Sequence, residues 1–236
     1  MSLRILFQDE ALVAIDKPSG FHVHPPEDEQ SRISKHVNCL AILRDQIQTY
    51  LYPVHRIDVA TSGVVVFALT PEAAKAVAAQ FQARTARKTY YCVVRGWVDD
   101  EGCFDHPLRS MKDDEKDLEA QTSFQSLARI ELPTAIGKYE TARYSLVEVA
   151  PHTGRYHQIR RHFARGGHPL LGDSVHGNGE HNRFFRNELK LASLMLKAHR
   201  LAITHPHSGA VLHLESRWSG KWHKVFDLFG VCPTRY

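Results

Sequence analysis

His55-Arg56-Ile57-Asp58-Val59-Ala60-Thr61-Ser62-Gly63-Val64-Val65-Val66-Phe67-Ala68 joins a charged turn to a wholly apolar strand. Such a run goes into a sheet interior, so the carboxylate of Asp58 stands close to a buried edge. A carboxylate there needs an opposite charge, hydrogen bonds or a chemical task.

Outward from this stretch, residues 3–16 alternate around Asp9-Glu10 and predict an opening β-hairpin, which Lys17-Pro18-Ser19-Gly20 ends. Ile33, Val37, Leu40, Leu43 and Ile47 recur at helical spacing and predict an amphipathic helix over 31–48. After the strand at 64–69, Thr70-Pro71-Glu72 reads as N-cap, N1 proline and first-turn acid of a helix running to about Arg84. Strands are expected at 88–98, 123–131 and 143–150. The acidic segment 99–121 has little apolar content and is expected to be a mobile loop. A short helix from about Tyr156 is closed by Gly166-Gly167, and 173–186 is expected to be a loop. A hairpin through His207-Ser208-Gly209 joins 193–204 to 210–215, and a closing helix covers Lys221 to Phe229. The fold class is mixed α/β (α+β), a strand-rich, mainly antiparallel sheet with flanking helices. Nothing in the composition splits the chain, so one domain over 1–236 is expected.

Four cysteines without a C-x-x-C pair fit a reducing cytoplasm better than a disulfide framework. The chain has no H-E-x-x-H, and its sixteen histidines include only H-x-H pairs, His22/His24 and His205/His207, so no metal site is expected. Without a run of roughly 18 apolar residues no membrane span is expected. Charge is uneven. Residues 143–200 hold ten basic and four acidic residues, whereas 101–119 hold three basic and seven acidic ones. The first region would attract a polyanion and the second repel it, although solvated faces would give the same pattern.

Around Tyr156 the chain reads Thr153-Gly154-Arg155-Tyr156-His157-Gln158-Ile159-Arg160-Arg161-His162. On a helix Arg161 and Arg165 share one face, while Arg160 leans to the apolar side beside Phe163 and Ala164. Arg160 therefore needs a carboxylate, and Asp58 is the obvious candidate. Such a pair would keep Asp58 ionised, as a nucleophile requires, or would be a plain structural ion pair.

These elements together resemble the RluA-type pseudouridine synthases. Asp58 falls at the aspartate of that family's H-R-L-D-x-x-T-S-G motif, with Ile57 replacing Leu. Tyr90 falls on the tyrosine of its K-x-Y strand and Arg160 on the arginine of its H-Q-x-R motif. Gly167-His168-Pro169 to Asp173, the early Lys-Pro-Ser-Gly and the late Lys197-Ala198-His199 to His205-Pro206 hairpin also match. The resemblance spans nearly the whole chain.

It implies the family's catalytic fold with a central RNA-binding cleft and no preceding S4-like domain. It implies an isomerase that detaches uracil N1 from ribose, turns the base and rejoins it through C5. That reaction moves no electrons, so no cofactor is implied. Asp58 would attack the uracil ring or the ribose carbon. Arg160 would hold Asp58 charged, and Tyr90 would stack on the base. His55, Arg56, Thr61, Lys88, Arg155, Gln158, Arg161 and Arg165 form the implied RNA-binding set. Tyr156, His176-Gly177 and Asn182-Arg183 resemble members acting on tRNA, at uridine 65, with ribosomal RNA as the alternative substrate. The enzyme is expected to be a monomer. A non-catalytic RNA-binding module and a glycoside hydrolase pairing Asp58 with Asp173 are the remaining readings; in the second, two carboxylates must share a site.

Overall fold

The computed structural model describes residues 2–25, 37–111, 113 and 116–232. The chain forms two compact units, each assembled from separated stretches: Met1–Lys88 with Lys197–Arg217, and Thr89–Leu196 with Trp218–Tyr236.

In the first unit the predicted hairpin is β1 (Arg4–Gln8) and β2 (Leu12–Lys17), closed by Asp9, whose side chain accepts from the N–H groups of Ala11 and Leu12. The apolar run is β4 (Ser62–Ala68), antiparallel to β2 from Leu12↔Ala68 to Lys17↔Gly63. The short β3 (Tyr52–Pro53) pairs with its far end. Near the start of β4, β11 (Leu196–Thr204) joins it in parallel through Lys197↔Ser62 and Ala198↔Gly63, and β12 (Val211–Glu215) returns antiparallel to β11. Gly63 is required there: its φ is +124°, and a Cβ would lie 1.9 Å from the Ala198 carbonyl oxygen. The glycine that ends the Thr-Ser-Gly turn thus admits the neighbouring strand.

Two helices belong to this unit. The predicted helix over 31–48 is α1 (Cys39–Ile47); residues 26–36 lie outside the described residues. The helix α2 (Pro71–Gln82) begins as expected, with Thr70 Oγ1 accepting from Ala73 N, a cap that contributes roughly 1 kcal/mol. Its Ala73 and Val77 pack on Val64, Val66 and Ala68 from one face of β4.

In the second unit β5 (Arg87–Arg95, which enters this unit at Thr89), β10 (Ala142–Pro151), β9 (Gln121–Leu132) and β6 (Glu101–Asp105) lie side by side in that order, all antiparallel. Tyr91 and Val93 of β5 join Tyr144 and Leu146 of β10 in a core covered by Trp222, Val225 and Phe226 of α5 (Gly220–Phe229). The mixed, mainly antiparallel architecture expected from the sequence is present.

Two expectations fail here. The acidic segment 99–121 contains the edge strand β6 and a small ribbon, β7 (Leu108–Arg109) with β8 (Asp117–Leu118). As an edge strand, β6 carries few apolar residues, chiefly Phe104, which packs against Phe124 and Phe163. The expected loop 173–186 contains α4 (Gly179–Asn187), capped by Asn178. Its apolar stripe is short, with Phe185 in the core and His181 hydrogen-bonded to the Tyr144 hydroxyl.

Candidate active site

The first unit fixes the Asp58 turn from behind. Thr61 N donates to Asp58 O at 3.0 Å, Gly20 N to Val59 O at 2.8 Å, and Ser19 Oγ to Ala60 O at 2.6 Å. Lys17, at the end of β2, is fully buried. Its ammonium donates to Phe21 O (2.7 Å), Pro18 O (3.0 Å) and Val59 O (3.0 Å). One buried cation therefore bolts the Lys-Pro-Ser-Gly turn to the turn that carries Asp58. Burial lowers the Lys17 pKa to about 8, against the upward pull of Cys39 and Asp58. Lys17 was not in the predicted site set; the signal was a lysine closing a strand that opens on Leu12-Val13-Ala14-Ile15, where a buried charge demands acceptors.

The other motif residues of this unit divide by exposure. Arg56 is exposed and Asp58 partly exposed. His55, expected in the RNA-binding set, braces the strand. Its Nε2 accepts from Val66 N at 3.0 Å and its ring stacks on Phe81, 4.6 Å between centroids. Burial and the nearby Lys88 lower its pKa to about 3, so the ring is neutral at physiological pH. The Thr61 side chain, also expected to contact RNA, is buried at 1% exposure. Lys88 is partly buried, which lowers its pKa to about 8.

In the second unit Tyr90 lies partly buried on β5, paired with Val149. The helix α3 (Gln158–Arg165) buries Ile159, Arg160, His162 and Phe163. Arg160 does have a carboxylate in its own unit, and it is Asp173. Nε and Nη2 donate to Oδ2 and Oδ1, both at 2.7 Å, with the side chains at 5% and 0% exposure. Asp173 also accepts from Val175 N and His176 N. Burial alone would raise its pKa; the Arg160 hydrogen bonds and the two N–H groups overcome that and lower it to about 2. Asp173 is thus both a turn former and an ion-pair partner. With no exposed side-chain surface and both oxygens held by Arg160, this carboxylate is not open to a sugar, which counts against the glycoside hydrolase reading built on it.

Gln158 was expected to touch RNA, but its amide is committed inside the unit. Oε1 accepts from Thr153 Oγ1 (2.6 Å) and Arg155 N (2.9 Å), and Nε2 donates to Gln121 O and Thr122 Oγ1, both at 2.9 Å. It ties the entry of α3 to β9. Arg155 is partly exposed with Nε on Glu119 O at 2.8 Å. Arg161 and Arg165 line an open groove of about 530 Å³ together with Arg109 and His176. The predicted set is therefore shared between the units: Asp58, Arg56 and Lys88 in the first, Tyr90, Arg155, Arg160, Arg161 and Arg165 in the second. Among the described residues no group of three or more His, Cys, Asp or Glu is placed to hold a metal ion. No helix among them is long and apolar enough to cross a membrane.

Residues 11–165 match a family model described as RNA pseudouridylate synthase. The chain is 43% identical over 237 residues to tRNA pseudouridine synthase C of Pectobacterium carotovorum subsp. carotovorum, covering 97% of this chain and 62% of that relative. It is 40% identical over 240 residues to tRNA pseudouridine synthase C of Vibrio parahaemolyticus, covering 97% of this chain and 96% of that one. Among solved structures, human RNA Pseudouridylate Synthase Domain Containing 4 superposes with a TM-score of 0.72 at 25% identity, over 96% of this chain and 93% of that one.

Proposed function

The chain belongs to the RNA pseudouridylate synthase family, and we propose that it isomerises uridine to pseudouridine in tRNA, at uridine 65, with Asp58 as the nucleophile. The observation that carries the chemistry is the Asp58 turn. A partly exposed carboxylate stands on a turn whose backbone is fastened by Lys17, Ser19 and Gly20, so the turn that carries it is set before substrate arrives. The tRNA substrate rests on the relatives named tRNA pseudouridine synthase C.

In the reaction the bond from N1 to ribose breaks, C5 takes its place, the C5 proton leaves and N1 gains a proton. Asp58 supplies the electron pair, to the ring or to the ribose carbon. Tyr90 and Arg160 keep the roles that the resemblance assigns them, with Asp173 fixing the Arg160 fork from within its own unit. A uridine in a paired stem must leave its stack, at a cost of a few kcal/mol. Phosphate contacts from Lys88, Arg155, Arg161 and Arg165 offset that cost, with Arg56 at the flipped nucleotide. Mapping pseudouridine in tRNA and ribosomal RNA, with and without the gene, tests this. Loss at tRNA position 65 is expected, and loss at a ribosomal position instead would overturn the tRNA assignment.

A further inference from the structure

The geometry points to a nucleotide-binding subsite in the second unit, where a base stacks on Tyr156 and its phosphate enters the adjoining arginine groove. The subsite rests on the RNA-substrate reading and names a contact beyond the target uridine.

Tyr156 is 51% exposed at the entry to α3. Its ring lies nearly parallel on His157, with centroids 3.7 Å apart and planes at 19°. His157 is held in turn: it takes a left-handed backbone (φ 50°), and its Nδ1 lies 3.1 Å from His176 Nε2 in a hydrogen bond. One face of the tyrosine is thus backed by a fixed ring. A solvent-facing aromatic shelf of this kind suits any nucleobase, because every base has a π-face.

The groove is joined to the shelf. Arg161 Nη1 donates to Tyr156 O (3.5 Å) and Nη2 to Arg109 O (3.0 Å), and His176 lines the groove while bonding to the ring beneath Tyr156. Among the described residues its charged lining is Arg109, Arg161 and Arg165 against Asp117. Asp117 pairs with Arg109 at 3.0 Å, but both side chains are about half exposed, so the pair is weak. A phosphate, which matches the guanidinium fork in two bonds, can take the place of that carboxylate. An acidic protein segment would fit the charge but would leave the shelf unused.

Full-length protein and an unmodified transcribed tRNA provide the test, by equilibrium binding and by tritium release from uracil C5. Tyr156→Ala is expected to weaken binding and raise KM about tenfold, with kcat changed less than threefold. Tyr156→Phe, which keeps the ring, should stay within twofold in both. Asp117→Asn should tighten binding severalfold, because it removes a negative charge from the groove. Wild-type affinity in Tyr156→Ala, or unchanged affinity in Asp117→Asn, overturns the subsite while wild-type turnover of tRNA leaves the enzyme reading standing. If wild type releases no tritium from any tRNA or ribosomal RNA, it is the function that fails. An acidic peptide that competes with tRNA equally well in Tyr156→Ala and wild type would assign the groove to a protein instead.

Discussion

Arg160 and Asp173 form a two-pronged ion pair with both nitrogen–oxygen distances at 2.7 Å and almost no solvent on either side chain. Removing one member of such a pair strands a buried charge, which costs about 3–5 kcal/mol. Asp173→Ala should lower unfolding free energy by that amount in urea denaturation.

The same pair sets an acid limit. Because the Asp173 pKa is lowered to about 2 in the folded chain, the native form binds fewer protons than the unfolded one between about pH 4 and 2. Its stabilisation is complete above about pH 4 and drains as pH falls toward 2. The stability gap between wild type and Asp173→Ala should therefore narrow from pH 6 to pH 3. A gap independent of pH would mean that ionisation of Asp173 contributes nothing.

Lys17 acts on Asp58 through the backbone. Lys17→Met orphans acceptors at Pro18, Phe21 and Val59 and loosens the turn. Turnover should fall tenfold or more while tRNA affinity stays within threefold. The pKa near 8 adds a pH signature. From about pH 8 to 10 the unfolded chain retains a proton that the folded one has released, so this titration by itself makes stability rise with pH. Turnover should move the other way over the same range, since the neutral amine can fill fewer of the three acceptors. Lys88, lowered to a similar value, titrates alongside. The alkaline loss of turnover should thus shrink in Lys17→Met, and an undiminished loss would exclude Lys17 from it.

Gln158 separates folding from recognition. Its amide fills four hydrogen bonds at 5% exposure, and Gln158→Leu leaves their partners buried and unmatched. Destabilisation of about 2 kcal/mol or more is expected in urea, with tRNA affinity of the folded variant within threefold. A large loss of affinity at full stability would restore Gln158 to the RNA-binding set.

Much of this was legible in the chain because local rules and burial agreed. β4 declared itself as an unbroken apolar run, α2 by its Thr70-Pro71-Glu72 entry, and the β11–β12 hairpin by His207-Ser208-Gly209. Where the deciding contact was long-range, local pattern failed. Phe104 gains its ring contacts only when β6 meets β9, and Phe185 becomes core only when α4 folds back on Tyr144. Polar side chains were the hardest to place. Arg160 was rightly expected to need a carboxylate, but Asp173 sat in a Gly-rich turn that already explained it. His55 and Gln158 lie inside the motifs and look like ligand contacts, yet hydrogen bonding in the interior claims them. Nothing in a linear sequence distinguishes a buried, satisfied amide from an exposed one.

Asp58→Asn tests the central claim most directly, since it keeps the shape of the side chain and removes its charge. Tritium release from tRNA labelled at uracil C5 should be abolished, with tRNA binding held within about tenfold, or 1.4 kcal/mol. Release at the wild-type rate by Asp58→Asn would contradict the assignment of Asp58 as the nucleophile.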